Sequence, residues 1–331
     1  MADMIDVHEV MNRALHLAAE VRQVTPPNPW VGAVVISADG ERIYEGATEA
    51  PGGRHAEIVA LDLAQDDARG GTLVVTLEPC SHFGRTPPCS NAIVDAGIAR
   101  VVVAMRDPDP KVDGGGVAHL RASGIEVLEG VGAEEAESLL AAYVHHRRTG
   151  RPLVILKLAS TLDGRTAAPD ASSKWITGEE ARNDVACLRA ECDAILVGAG
   201  TVRSDDPELT ARTNPAPHRQ PLRVVLGSIP EGARVNPAIS LSGDLESILD
   251  DLGERGILQL LVEGGATVAH AFVAARLVDR FVVYLAPVIM GGDDGAPVLS
   301  GPGAPTMGDL WRGRFISVVR LGADLRLEVA A

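Results

Sequence analysis

LEPCSHFGRTPPCS, residues 77–90, follows the apolar run TLVVT and gathers a glutamate, two cysteines, a histidine, an arginine and three prolines. The chain has only four cysteines (Cys80, Cys89, Cys187 and Cys192), and two of them stand here with eight residues between them. Three readings compete: a metal clamp, a disulfide, and two core residues. So few cysteines in 331 residues do not make a disulfide scaffold. Cys187 and Cys192 lie five apart on an expected helix, hence on different faces, and read as packing residues.

Working outward, a chain of 331 residues exceeds one compact core and suggests two domains. The N-terminus carries no basic segment followed by an apolar one, and no stretch approaches eighteen uninterrupted apolar residues. The expectation is a soluble cytoplasmic protein without a membrane span. A formal net charge of -15 argues against general nucleic-acid or anionic-membrane binding, because neutralising phosphates needs a basic surface. An anionic substrate would need a local basic pocket. Lysine occurs only at positions 111, 157 and 174, so a well-placed lysine is informative.

The segment MIDVHEVMNRALHLAAEV has helical spacing at Val7, Met11, Leu15 and Ala18. VGAVVI, the turn after it, and HAEIVALDLA read as strand, turn, strand and helix. TLVVTL and RVVVAM are buried strands, and between them PCSNAIVDAGIA is helical with Gly97 as C-cap. The loop RDPDPKVDGGG, a short helix and the strand IEVLEG follow, and a single helix is expected over 133–148. Gly150 and Pro152 then punctuate the chain, which places a domain boundary there, with domains 1–149 and 150–331. The rhythm restarts with strands near 153–159, 194–198, 222–226, 257–262 and 280–286, and helices near 178–191, 243–254 and 266–275. Both halves are therefore expected to be α/β.

His55-Ala-Glu57 opens an expected helix, and Pro79-Cys80 follows a strand. A His-x-Glu followed by Pro-Cys and a second cysteine is the pattern of zinc-dependent deaminases. One imidazole and two thiolates supply three tetrahedral ligands, and a catalytic site leaves the fourth place to water. Glu57 can then face that place without ligating, and shuttle a proton. A nucleoside or tRNA deaminase would instead show Cys-x-x-Cys and a basic surface. A structural zinc module would need a fourth protein ligand, for which His82 is the sole spare candidate.

With NPWVGAVV and GGRHAEIVAL upstream, LEPCSHFGRTPPC closely resembles the bifunctional riboflavin-biosynthesis deaminase/reductase family, in which eight residues between the cysteines are the rule. The resemblance spans essentially the whole chain. It implies a cytidine-deaminase-like α/β/α domain followed by a dihydrofolate-reductase-like α/β domain. It also implies one zinc held by His55, Cys80 and Cys89, with Glu57 as general acid and base. Asn28, His82 and Arg85 are implied to line the pocket of a phosphorylated pyrimidine substrate. Thr48 stands where many members carry a histidine.

In the second half KLASTLDGRTA, SSKWITG, RAECDAILVGAGTVRSDDPELTAR and LLVEGG resemble the reductase half of the same family. No G-x-G-x-x-G fingerprint follows the first strand. The resemblance implies NADPH as cofactor, contacted by Ser160, Trp175, Thr177, Thr201, Asp205, Ser228, Gly264 and Gly265. Lys157, Ser173, Arg189, Leu209, Arg212 and Glu263 are implied on the substrate side. Lys157 and Asp205 are the alternatives for assisting proton transfer, and a homo-oligomer through the reductase half is expected.

Overall fold

The structure is a computed structural model and describes residues 6–81, 87–109, 112, 114–170 and 172–330. The chain divides into two compact units, Met1–Gly150 and Arg151–Ala331.

In the first unit the elements run α1 (Val7–Glu20), β1 (Gly32–Ile36), β2 (Ile43–Ala47), α2 (Ala56–Ala64), β3 (Thr72–Leu77), α3 (Cys89–Asp95), β4 (Arg100–Met105), α4 (Gly115–Ala122), β5 (Glu126–Glu129), α5 (Ala133–Leu139) and α6 (Ala141–Thr149). The sheet order is β2-β1-β3-β4-β5, with β3, β4 and β5 mutually parallel and β1 antiparallel to both of its neighbours. Asp6 caps α1 by accepting from the His8 amide at 2.9 Å, and the helix buries Val10, Met11, Ala14 and Ala18. Only glycine fits at position 32, because a Cβ there would lie 1.9 Å from the Ala14 carbonyl oxygen. That close approach seats α1 directly on the central strand β1.

The single helix expected over 133–148 is two helices. They meet at buried Leu140, whose φ of -90° and ψ of 11° depart from helical values. The Trp30 indole donates to the Leu139 carbonyl at 3.1 Å, the acceptor that an unbroken helix would offer to Tyr143. A long-range side chain thus overrides local helical preference.

The second unit runs β6 (Leu153–Thr161), β7 (Arg165–Ala167), α7 (Glu179–Glu191), β8 (Ala194–Gly198), α8 (Ala199–Asp205), β9 (Leu222–Leu226), β10 (Ile239–Leu241), α9 (Leu245–Glu254), β11 (Gln259–Val262), α10 (Ala266–Ala274), β12 (Arg280–Ala286), β13 (Ala296–Pro297), β14 (Arg314–Leu321) and β15 (Asp324–Ala330). Its main sheet has the order β10-β9-β8-β11-β6-β12-β15-β14, in which β10 through β12 are parallel and the last two strands antiparallel. The apolar runs of β6, β8 and β11 are buried as fully covered parallel strands should be, and Leu249, Leu252 and Phe272 of α9 and α10 pack on them. The chain moves outward from β8 to β10 and returns to insert β11 between β8 and β6. This reversal is where open parallel sheets form a crevice at their carboxyl ends. The terminal hairpin β14–β15 and the short α8 are not among the elements expected from the sequence.

Cys192 is buried, as a packing residue should be, but Cys187 is exposed on α7 and packs into no core. Among the described residues, no helix is long and apolar enough to cross a membrane.

Candidate active sites

In the first unit three chain segments converge at one end of the sheet. His55 is the N-cap residue of α2, Cys80 lies three residues past the end of β3, and Cys89 opens α3. The His55 Nδ1 lies 3.7 Å from Cys80 Sγ and 3.2 Å from Cys89 Sγ, and the three donor atoms all fall within 4.8 Å of one another. Tetrahedral zinc with ordinary bond lengths would set nitrogen–sulfur separations of about 3.6 Å, so the donor set fits the ion. The Cys89 amide also donates to Cys80 Sγ at 3.3 Å. The Cys80 thiol is held down to about 4, first by the Cys89 side chain and then by His55, while the same contact pushes Cys89 upward. His55 is raised, chiefly by its bond to Cys80.

Glu57, in the first turn of α2, is 4% exposed and lines the same cavity of ≈ 490 Å³. Burial pushes its carboxyl up to about 7, with the neighbouring Cys80 charge adding to the rise. A carboxyl of that kind can both take and return a proton near neutral pH. Asn28 lines the cavity as well. His82 and Arg85 lie outside the described residues. Thr48 is buried in the wall, and its hydroxyl accepts from the Val31 amide at 3.2 Å.

The opposite wall had no assigned role in the sequence. Asp107 and Asp109 follow β4, while Tyr143 and Arg147 come from α6, and all four line the cavity. The Tyr143 hydroxyl donates to Asp107 at 3.1 Å, and burial raises the Asp107 carboxyl to about 6. Glu78 ties this wall to the metal-ligand loop. Its Oε2 accepts from the Gly114 amide at 3.0 Å and the Asp107 amide at 3.3 Å, and its Oε1 from the Val117 amide at 3.0 Å. The first turn of α4 also presses close, because a Cβ at Gly116 would lie 1.9 Å from the Pro79 carbonyl oxygen.

The second unit holds a cavity of ≈ 670 Å³ in the crevice beside β6, β8 and β11. All six residues expected on the substrate side, Lys157, Ser173, Arg189, Leu209, Arg212 and Glu263, line this cavity. Of the residues expected at the cofactor, Trp175, Thr177, Thr201 and Asp205 line the same cavity. Arg189 meets Glu263 through two bonds of 2.6 and 2.8 Å, and Lys157 Nζ stands 3.9 Å from the same carboxylate. Burial pushes Lys157 down, and Arg189 adds to that against the pull of Glu263. Trp175 is 69% exposed, with the Arg182 guanidinium 4.6 Å from its ring centre.

Four expected cofactor positions do not line this cavity. Ser160 is buried within β6, where it pairs with Leu285 of β12. Ser228 is exposed just beyond β9. Gly264 and Gly265 form the turn between β11 and α10, and the Gly265 amide donates to Thr201 Oγ1 at 3.2 Å, which ties that turn to the cavity rim. Arg182 and Tyr284, absent from the sequence reading, also line the cavity.

A His-Cys-Cys cluster beside a buried glutamate on an α/β/α sheet defines a zinc-dependent deaminase of the cytidine deaminase class, here joined to a second α/β unit with a crevice of its own. Residues 4–105 match the family model described as cytidine and deoxycytidylate deaminase zinc-binding region, and residues 152–327 match RibD C-terminal domain. The chain is 42% identical to the riboflavin biosynthesis protein RibD of Mycobacterium tuberculosis, over 98% of this chain and 97% of that one. The solved RibD of Acinetobacter baumannii is 36% identical with a TM-score of 0.91, covering 98% of both chains. A Thermotoga maritima structure described as a diaminohydroxyphosphoribosylaminopyrimidine deaminase/5-amino-6-(5-phosphoribosylamino)uracil reductase is 37% identical, with a TM-score of 0.90 and 98% coverage of both. The chain belongs to the RibD family, bifunctional enzymes of riboflavin biosynthesis that combine a zinc-dependent deaminase with an NADPH-dependent, dihydrofolate-reductase-like domain.

Proposed function

We propose that the first unit hydrolytically deaminates 2,5-diamino-6-ribosylamino-4(3H)-pyrimidinone 5′-phosphate. The second unit then reduces the ribosyl group to ribityl, giving 5-amino-6-ribitylamino-uracil 5′-phosphate. The observation that carries this reading is the convergence of His55, Cys80 and Cys89 within 4.8 Å, with buried Glu57 lining the same cavity.

His55, Cys80 and Cys89 hold zinc, which when bound supplies a Lewis acid that makes water nucleophilic near neutral pH. Glu57 takes the proton released by the attacking water and returns it to the departing ammonia. Its high proton affinity, set by burial, suits both transfers. Asn28, Asp107 and Tyr143 shape the ring site, and His82 and Arg85, which fall between the two cysteines in sequence, contact the substrate.

In the second unit NADPH supplies hydride to C1′ of the ring-opened sugar. Thr201, Asp205, Trp175 and Thr177 hold the cofactor, with Ser160, Ser228 and the Gly264–Gly265 turn outside the immediate lining. Arg189, Arg212, Ser173, Leu209 and Glu263 orient the substrate. Between the two candidates for proton assistance we assign Lys157, which stands inside the cavity beside Glu263, whereas Asp205 is exposed at its rim.

A cytoplasmic location and a homo-oligomer belong to the same reading. Four cysteines of which none forms a disulfide suit a reducing compartment, and exposed Phe315, Val318 and Val319 on the edge strand β14 suit an interface through the second unit. The deciding experiment supplies the diaminopyrimidine phosphate with and without NADPH and follows ammonia and NADPH separately. Ammonia release without NADPH, followed by NADPH oxidation in equal amount, is expected; NADPH oxidation with no ammonia overturns the proposed order.

A further inference from the structure

We propose that Arg147 on α6 is a specificity residue of the deamination site that binds the phosphate-bearing end of the substrate. This inference rests on the reading of the first cavity as a site for a phosphorylated pyrimidine, and it adds a residue from a helix far in sequence from the metal-ligand loop.

The charge around the cavity makes the case. Glu57, Glu78, Asp107 and Asp109 all line it, so a phosphate dianion enters a wall rich in carboxylates. Apart from the metal-cluster residue His55, Arg147 is the one basic side chain among the described residues lining that cavity. In a chain with net charge -15, no general positive surface makes up the difference.

The guanidinium is held in place but only loosely engaged. Its plane is supported 4.8 Å from the Tyr143 ring centre, and Tyr143 is itself fixed by its bond to Asp107. It bonds His146 Nδ1 at an ordinary 3.2 Å, while its contacts to oxygen are long, 3.4 Å to the Pro27 carbonyl and 3.4 Å from Nε to Asp109 Oδ2. Nε is buried without a hydrogen-bond partner. By contrast, Arg13 and Arg189 close on their carboxylates at 2.6 Å. A planar guanidinium pre-positioned at the cavity, with only long contacts to oxygen, suits bidentate binding of a phosphate. On arrival the anion replaces the long contact to Asp109.

The test compares deamination of the 5′-phosphorylated substrate with that of its dephosphorylated nucleoside, using full-length protein. Arg147→Met is expected to raise KM for the phosphorylated substrate about 10- to 100-fold, the effect of losing one charge-assisted contact, with kcat within about twofold. KM for the nucleoside should not change. Arg147→Lys should recover part of the loss, since it restores charge but not the fork. Zinc content and reduction of the deaminated intermediate monitor folding. An unchanged KM for the phosphorylated substrate, or an equal rise for both substrates, overturns the role of Arg147 alone. Wild-type protein that releases no ammonia from either compound overturns the deaminase reading and this proposal with it.

Discussion

Arg189 and Glu263 face each other fork to fork in the second cavity, Nε to Oε1 at 2.6 Å and Nη2 to Oε2 at 2.8 Å. Burial alone would raise the Glu263 carboxyl, but the bonds and charge of Arg189, with help from Lys157, hold it below the usual carboxylate value. Its contribution to stability is therefore present above the unfolded carboxylate pKa and is lost as pH falls through the folded one. Glu263→Gln leaves Lys157 and Arg189 as two buried cations without their counter-ion. A loss of roughly 3 kcal/mol is expected in unfolding of the second unit, together with a steep fall in NADPH oxidation. Urea denaturation at pH 7 and a stopped assay of the reductase step check both.

Zinc content should depend on each of the three convergent side chains. Purified protein is expected to hold about one zinc per chain, and Cys80→Ser or Cys89→Ser to hold less than about a tenth of that. Gly116→Ala reaches the same loop by steric means. Its new methyl meets the Pro79 carbonyl oxygen, and the shift this forces next to Cys80 should weaken zinc retention against a chelator about 10-fold or more. Metal analysis after dialysis distinguishes the variants.

Glu57→Gln removes the proton carrier while leaving the ligand set in place. Zinc content should stay near one per chain, and deamination should fall by about 10²- to 10⁴-fold. Reduction of pre-deaminated substrate should continue at the wild-type rate. If both activities fell together, the division of labour between the two units would be wrong.

Asp107 gives the first unit a pH dependence of defined sign. Its folded pKa is raised to about 6 by burial, so the folded state binds the proton more tightly than the unfolded chain. The stability linked to this group is full below about pH 4 and is lost as pH rises to about 6. Asp107→Asn removes that linkage. Relative to the variant, wild-type protein should lose on the order of 2–3 kcal/mol between those limits. Urea midpoints of both proteins at several pH values measure the difference.

The metal cluster was legible because local sequence rules fix where its ligands fall. His55 and Glu57 open α2, and Pro79-Cys80 follows β3, so a helix start and a strand end sufficed to place three of the four residues. The facing wall was not legible in this way. Asp107, Tyr143 and Arg147 meet only because α6 folds back against the end of β4, and no spacing within the chain signals that. The break at Leu140 escaped for a similar reason, since a tryptophan more than a hundred residues away engages the Leu139 carbonyl. The hairpin β14–β15 was missed because β14 exposes apolar side chains on both faces. Phe315, Ile316, Val318 and Val319 therefore show none of the alternation that marks a half-buried strand. In the second cavity, the family-implied residues on the substrate side assembled together, while Ser160 and Ser228 stayed outside the lining.

Glu78 has no role at the reacting atoms, yet its one carboxylate gathers the amides of Asp107, Gly114 and Val117 two residues before Cys80. The consequence is mechanical. The cavity's two sides share a hinge pin, so neither can open while that pin is seated. In amide hydrogen–deuterium exchange these three N–H groups should open as one cooperative unit, and zinc binding should slow all three together even though none belongs to a ligand.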